Sequence, residues 1–476
     1  MRPYRFLSTT ALLIAILAMG CGPRAADAPT STTRAADKPN IIFILCDDVG
    51  IGDMPCYGAD HYKTPQIDSL AKSGMRYTNC YSMPLCGPSR ATLMTGRYLF
   101  RTGMNGNQSG HNLKPENEIM IPKILEQAGY ATAQVGKWNQ LPREPSDWGF
   151  REYLRFQGSG KYWPTSTSSC LLNGERKKYP PTQYIPDAMH EFVVDFMTRH
   201  KDEPFFLYYS MAHVHAPIMR TPDSAAQSKD LYADNIAYMD KLVGKLLTEL
   251  DRLHLRENTI LVFVGDNGTA PRHARQATIG GRALSGMKGT LQEGGSRVPM
   301  IINWPGKTPT GMVNDALIDF SDFFPTFASL AHAKLPDGVT IDGQSFAGQI
   351  TKQDAPRREW AYVELNGKWY VRSPGWKLNS AGELFDMKDA PFVEKPVPAE
   401  SQTTEALAAR KQLQAALDTL NPAAGKQATV PQRITEKLEK RETTPTVIAE
   451  KPPQADRKNR KAARRLKRKS ADPSTR

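Results

Sequence analysis

Four short apolar segments, separated by amphipathic stretches, dominate the hydrophobic pattern of the chain. They span residues 41–45, 131–135, 205–209 and 260–264, and each has the length of a buried strand rather than that of a helix. Strands that alternate with amphipathic stretches are typical of an α/β fold. We therefore predict a large, mostly parallel (mixed) sheet flanked by helices, in a main domain that covers residues 39–350.

The pattern changes after this domain. Residues 359–371 and 376–386 are predicted to form strands around turns, and residues 405–420 place apolar side chains at helical spacing. A small C-terminal antiparallel sheet with a helix is therefore predicted within residues 351–421.

The first 28 residues have the features of an export signal, with basic residues ahead of an apolar stretch that is too short to span a membrane. The run Leu17-Ala18-Met19-Gly20-Cys21 resembles a bacterial lipoprotein box, in which Cys21 would carry the lipid anchor. Cleavage after Ala28 is the alternative and would give a secreted protein. Residues 29–38 are interpreted as a tether. Either cleavage predicts an exported protein, which is periplasmic, anchored in the outer membrane or secreted.

The net charge of +13 arises largely at the C-terminus. Residues 451–476 hold 11 of the 62 Lys and Arg residues but only two of the 49 Asp and Glu residues. Residues 422–476 are predicted to be a basic disordered tail, either a solvated charge run or an anchor for polyanions. The remainder of the chain is nearly neutral, so we predict no specific nucleic-acid partner.

Polar residues that can bind ligands follow each of the four apolar segments. They are Asp47 and Asp48, Lys137, His213 and His215, and Asp266 and Asn267. Ligands of open α/β sheets bind beyond the carboxyl ends of the strands, so these side chains are expected at one edge. Carboxylate and amide oxygens favour Ca²⁺ or Mg²⁺. Zinc bound through the two histidines is an alternative that lacks a third nitrogen or sulfur ligand at suitable spacing.

The segment from Leu85 to Arg97 places Cys86 just ahead of a predicted helix start at Pro88 and Ser89, with Arg90 one turn on. The amide groups and the dipole of a helix N-terminus favour an anion. Taken alone, Cys86 is either a thiolate of low pKa or a buried structural cysteine.

The same residues resemble a known family. The run Cys86-Gly87-Pro88-Ser89-Arg90 resembles the signature of the formylglycine-dependent sulfatases of the alkaline-phosphatase-like superfamily. The resemblance extends from about Pro39 to Met387. It includes the runs Asp47-Asp48-Val49-Gly50-Ile51-Gly52-Asp53, Gly136-Lys137-Trp138, His213-Val214-His215-Ala216-Pro217, Gly265-Asp266-Asn267-Gly268 and Lys288-Gly289-Thr290.

This resemblance implies an arylsulfatase-type enzyme that hydrolyses sulfate esters. It implies that a maturase oxidises Cys86 to formylglycine, whose hydrate attacks sulfur. It further implies that one calcium ion is bound by residue 86 with Asp47, Asp48, Asp266 and Asn267. Arg90, Lys137 and Lys288 would offset the charge of the transition state, and His215 would assist proton transfer. We assign His213 to the substrate-binding residues, in a supporting position behind the catalytic groups.

One residue departs from the family pattern. The family usually has His two residues after the lysine, where this chain has Asn139. An amide can form hydrogen bonds to a substrate but cannot shuttle a proton near neutral pH. Asn139 is therefore expected to bind substrate, with weaker activation of the nucleophile or an unusual substrate as the consequence.

Three function hypotheses remain open at this point. The first is a sulfatase that acts on sulfated glycans or aryl sulfates; the second is a phosphodiesterase or phosphonate-ester hydrolase of the same fold; the third is an inactive polyanion-binding envelope protein. Residues considered for the pocket, with surface or core roles as alternatives, are Arg143, Trp148, Trp163, Arg220, Arg272 and His273. Cys46, Cys56, Cys80 and Cys170 are either free or paired in disulfides.

Overall fold

The computed structural model describes residues 38–156, 158, 162–165, 169–353 and 355–425. The predicted export signal with Cys21, the tether up to residue 37 and the basic residues from 426 onward lie outside this part. Among the described residues, no helix is both long and apolar enough to cross a membrane.

The strands fall into one large sheet, one small sheet and a two-stranded ribbon. They are β1 Asn40–Cys46, β2 Met75–Tyr81, β3 Ala131–Gly136, β4 Glu152–Phe156, β5 Cys170–Leu172, β6 Glu175–Lys177, β7 Phe205–Met211, β8 Thr259–Gly265, β9 Thr278–Ile279, β10 Arg282–Ala283, β11 Arg297–Asn303, β12 Met312–Asp319, β13 Ala361–Leu365, β14 Lys368–Arg372, β15 Trp376–Asn379, β16 Leu384–Asp386 and β17 Lys395–Val397.

Helices separate most of these strands. They are α1 Pro65–Ser73, α2 Cys86–Thr95, α3 Leu99–Thr102, α4 Ile121–Gln127, α5 Ile185–Arg199, α6 Leu231–Arg252, α7 Glu293–Ser296, α8 Phe323–Leu330, α9 Ala347–Ile350 and α10 Thr404–Leu420.

The large sheet has the strand order β12-β2-β11-β8-β1-β7-β3-β4-β5-β6 within the described residues. The central strands β8, β1, β7, β3 and β4 run parallel, whereas β11 and β5 run antiparallel to their neighbours. The predicted large mixed sheet is thereby confirmed, and the four predicted strands are β1, β3, β7 and β8.

Strands β1, β3, β7 and β8 are buried along their whole length because both faces of the sheet are covered. In β1, Ile41, Phe43 and Leu45 pack on one face with residues of α2, α4 and α8. Ile42 and Ile44 point to the opposite face and pack with residues of α1, α5 and α6. This double burial fixes the register of the strands, and hence the position of the loop that follows each one.

The small sheet is an antiparallel meander from β13 to β17, and α10 follows it. The predicted small C-terminal antiparallel sheet with a helix is thereby confirmed. Arg358, just ahead of β13, pairs with Asp322 of the main domain at 2.5 Å, and Arg372 of β14 pairs with Glu293 at 3.2 Å. These buried ion pairs attach the small sheet to the rest of the fold, and Glu293 of the second pair is five residues after Lys288.

The structure shows whether the cysteines among the described residues are free or paired in disulfides. Cys46, Cys56, Cys80, Cys86 and Cys170 are all free, so none of the possible disulfides among Cys46, Cys56, Cys80 and Cys170 is formed.

Adjacent arginines at the start of the small sheet allow a matched test of its attachment. Arg358 and Asp322 are each 2 % exposed, so Arg358→Met should leave a buried carboxylate unpaired and lower the free energy of unfolding by about 3–5 kcal/mol. Arg357, whose pair with Asp315 is mostly exposed, is the control, and Arg357→Met should change it by less than about 1 kcal/mol. Urea unfolding measures the free energy of unfolding of both variants. Equal losses in Arg358→Met and Arg357→Met would contradict the proposed attachment of the small sheet through the buried ion pair.

Candidate active site

The site lies where the parallel strands β8, β1, β7 and β3 end side by side. Asp47 and Asp48 follow β1, Asp266 follows β8, and Lys137 follows β3. Because β8, β1, β7 and β3 are neighbours, their carboxyl ends bring these residues together, as predicted. The loops are also joined directly, since the Asp266 amide donates to the Cys46 carbonyl at 2.8 Å and the Asp48 amide donates to Asp266 Oδ1 at 3.0 Å.

Cys86 faces these carboxylates from the opposite side. Its Sγ lies 3.4 Å from Asp47 Oδ1 and 3.7 Å from Asp48 Oδ1. The helix begins at Cys86 itself. The sequence predicts a later start, at Pro88 and Ser89. The Gly87 amide donates to Asn107 Oδ1 at 2.9 Å, so the first turn is capped from a separate loop instead of by a local Ser or Thr.

The thiolate hypothesis for Cys86 is wrong for this structure. Burial raises the pKa of the Cys86 thiol well above its ordinary value, and Asp266 adds to the increase, against the opposing effect of Lys137. The side chain is 1 % exposed. An unmodified Cys86 is therefore a neutral thiol and a poor nucleophile.

Three cations surround the carboxylates. Lys137 Nζ lies 2.5 Å from Asp47 Oδ2, Arg90 Nη2 lies 2.8 Å from Asp266 Oδ2, and Lys288 contacts Asp48. Burial acts to raise the pKa of Asp47, but Lys137 and the other cations outweigh it, so that pKa lies below its ordinary value. Burial likewise acts to lower the pKa of Lys137, and Asp47 outweighs it and raises that pKa.

A divalent metal ion fits between these groups. Ligand atoms of Asp47, Asp48, Cys86 and Asp266 all lie within 4.8 Å of one another. Asn267 Oδ1 is buried beside them without a hydrogen-bond partner, an arrangement that is costly unless another group supplies the missing contact. The predominance of oxygen donors matches a hard cation such as Ca²⁺ or Mg²⁺.

Comparison with known proteins agrees with this geometry. The family model described as Sulfatase matches residues 39–333. Arylsulfatase D of Homo sapiens is 30 % identical over 483 residues, which cover 80 % of this chain and 79 % of the relative. The chain belongs to the sulfatase family.

Two further relatives broaden this comparison. N-acetylgalactosamine-6-sulfatase of Canis lupus familiaris is 33 % identical and covers 71 % of the chain and 70 % of its own length. The solved structure of Ps i-CgsB in complex with k-i-k-neocarrahexaose superposes with a TM-score of 0.71 at 27 % identity, over 86 % of this sulfatase and 98 % of that chain. The chain is thus a sulfatase, an enzyme that hydrolyses sulfate esters.

The two histidines after β7 occupy different environments in this sulfatase. A ring nitrogen of His215 lies within 4.8 Å of ligand atoms of Asp47 and Cys86, and the side chain is half-buried. His213 is fully buried, and its Nε2 is 3.1 Å from the Tyr184 hydroxyl. Burial lowers the pKa of His213 to about 3, so its ring is neutral. Its ring packs among the rings of Tyr162, Tyr184 and Tyr238.

Asn139 lies two residues beyond Lys137, in an exposed turn. The following residue, Gln140, has a positive φ of 75°, and its Oε1 is buried without a partner. Gln140 Cβ lies 2.9 Å from the point where a Cβ on Gly87 would stand. This turn therefore packs against the residue that follows Cys86, and Gly87 leaves the space for it.

The proposed pocket residues divide into two groups. Trp148 belongs to the core, because it is 2 % exposed and its Nε1 donates to the Pro142 carbonyl. Arg143, Arg220 and Arg272 are exposed, whereas Trp163 and His273 are half-buried. Trp163 Nε1 donates to the Arg220 carbonyl at 2.8 Å, and the His273 ring stacks on Tyr232 at 4.0 Å.

Several residues that organise the site were not singled out by the sequence. Tyr208 and Ser210 both accept hydrogen bonds from Arg90 Nη1, and Asn107 holds the Gly87 amide. Alternation along β7 could have indicated that Tyr208 and Ser210 share one face. For Asn107, no local pattern gives its partner, because the contact depends on how two loops meet.

Proposed function

We propose that this sulfatase hydrolyses sulfate esters of glycans, with residue 86 as formylglycine and with one bound Ca²⁺, or alternatively Mg²⁺. The observation that carries the proposal is the placement of Cys86 Sγ among the carboxylates of Asp47, Asp48 and Asp266. A thiol is a poor companion for a hard cation. Oxidation of the side chain to a hydrated aldehyde would replace sulfur with oxygen and make all the donors alike.

Asp47, Asp48, Asp266 and Asn267 would hold the cation with residue 86. When both groups are present, the cation polarises the sulfate ester and the modified residue supplies the nucleophile. Arg90 is held in one orientation by Asp266, Tyr208 and Ser210, so its charge is preorganised toward the developing negative charge.

Lys137, Lys288 and His215 complete the proposed catalytic set. Lys137 is buried and fixed by Asp47, where it offsets charge at residue 86. Lys288, which contacts Asp48 and is 14 % exposed, would contact the sulfate group. His215 is half-buried, with a ring nitrogen near ligand atoms of Cys86 and Asp47, and it would give a proton to the leaving alcohol. His213 would hold the segment behind the substrate.

A glycan substrate suits the exposed rim of the site. N-acetylgalactosamine-6-sulfatase is named after an amino sugar, and Ps i-CgsB was solved in complex with k-i-k-neocarrahexaose. Here the half-buried Trp163 offers an aromatic surface, and the exposed Arg220 lies on the segment that it contacts. Aromatic faces and cations are suited to binding sugar rings and additional sulfate groups.

Burial of Cys86 also constrains its maturation. Every residue of α2 is buried, so a maturase has to reach Cys86 before the domain closes around it. We propose that this oxidation accompanies synthesis or export, which the N-terminal residues would direct. Attachment to a membrane through Cys21 belongs to the same proposal. Residues 39–350 would form the catalytic domain and residues 351–421 the small subdomain.

The modification of residue 86 gives the first test. In protein purified from its native host, peptide mass spectrometry should find formylglycine at residue 86, and sulfate should be released from sulfated glycans. Cys86→Ala should reduce that release by about 10⁴-fold or more, because the nucleophile is lost. Cys170→Ala is the control and should stay active. Full activity with only unmodified cysteine would contradict the mechanism.

Asn139 gives the second test. Asn139→His adds a group that titrates near pH 6.5 in the turn that packs on Gly87. The variant should gain up to about 100-fold in kcat, and its rate should rise with pH through about 6.5 as the imidazole becomes neutral. Asn139→Gln, which does not titrate, is the control. If the pH profile of Asn139→His matched that of the wild type, Asn139 would lie outside the proton-transfer path.

A further inference from the structure

Asp53 connects the two loops that carry the proposed metal ligands. It ends a short 3₁₀ helix, Ile51–Asp53, and its side chain is fully buried. Asp53 Oδ2 accepts hydrogen bonds from the Gly50 amide at 2.9 Å and from Thr269 Oγ1 at 2.6 Å. Gly50 is two residues after Asp48, and Thr269 is two residues after Asn267. One carboxylate oxygen therefore joins both loops.

The two loops are in direct contact at this point, so a shift in the position of one loop moves the other. A Cβ on Gly50 would lie 2.6 Å from Thr269 Oγ1 and 2.9 Å from Thr269 N. The Thr269 carbonyl in turn accepts a hydrogen bond from the Lys288 amide at 3.0 Å. The connection made by Asp53 thus extends from the Asp48 loop through Thr269 to the loop that carries Lys288.

Burial makes this connection strong. Hydrogen bonds to a carboxyl group in a dry environment are electrostatically stronger than in water. Burial raises the pKa of Asp53 to about 7, and the hydrogen bonds from Thr269 and Gly50 act in the opposite direction. Among the described residues, Asp53 is not one of those whose ligand atoms cluster at the candidate metal site. It therefore acts on the site indirectly, through the two loops and through its repulsion with Asp48.

We propose that Asp53 is a positioning residue for the metal site and that, with Thr269, it sets the spacing between the Asp48 and Asn267 loops. The inference rests on the proposed function, because it assumes that a cation is bound between these loops. Residues that orient metal ligands typically change metal affinity by about 10- to 100-fold when they are removed. Asp53 and Thr269 should fall in this range.

Two pairs of variants separate the hydrogen bonds from the packing. Thr269→Val keeps the side-chain shape but removes the hydroxyl donor, whereas Thr269→Ser retains it. Asp53→Ala removes the acceptor, whereas Asp53→Asn keeps an oxygen that can accept both hydrogen bonds. Thr326→Val is the control, since the Thr326 hydroxyl is also buried and makes two hydrogen bonds, to Asp322 and Phe346.

The readout is the Kd for Ca²⁺, measured by isothermal titration calorimetry on full-length protein freed of metal with a chelator. Thr269→Val and Asp53→Ala should weaken Ca²⁺ binding by about tenfold or more. Thr269→Ser, Asp53→Asn and Thr326→Val should stay within about threefold of the wild type, whatever their melting temperatures.

The outcomes distinguish the two proposals. If the wild type binds no Ca²⁺, the metal site of the proposed function is wrong. If the wild type binds Ca²⁺ and Thr269→Val binds it equally well, the positioning role is wrong although the metal site stands. Thr269→Val removes a single hydroxyl group, so it decides the matter even where Asp53→Ala fails to fold. Equal loss in Thr326→Val would assign the effect to general destabilisation and overturn the proposal.

Discussion

The repulsion among the buried carboxylates of Asp47, Asp48 and Asp266 is the constraint that the surrounding structure has to meet. At separations within 4.8 Å, two such charges repel by about 3–4 kcal/mol at an effective dielectric constant near 20. Lys137 and Arg90, at 2.5 and 2.8 Å from their partners, offset this repulsion. The sheet and the buried helix α2 hold all of these groups in place.

The same constraint explains why the small C-terminal sheet matters to the site. Lys288, the third cation, lies on a segment that leads into α7, where Glu293 pairs with Arg372 of β14. Burial lowers the pKa of Arg372 to about 10, which still leaves the guanidinium charged at neutral pH. The small sheet thereby supports the segment that carries Lys288, whose side chain is 14 % exposed.

Sequence reasoning predicts the strand ends well, because apolar runs and the polar residues after them are local features. It places Asp47, Asp266 and Lys137 at one edge, as observed. It leaves alternatives open where the outcome depends on tertiary contact. Packing places Trp148 in the core, one of the roles considered for it, and burial outweighs Lys137 and raises the pKa of the Cys86 thiol. Asp53 was visible only as part of a motif, since its partner Thr269 is distant in sequence.

The position of a bound cation tests the central claim most directly. Crystals grown with Ca²⁺ should show one anomalous-difference peak at about 2.3–2.6 Å from oxygens of Asp47, Asp48, Asp266 and Asn267, next to the modified residue 86. A cation elsewhere, or density between these residues that is only water at saturating Ca²⁺, would contradict the account.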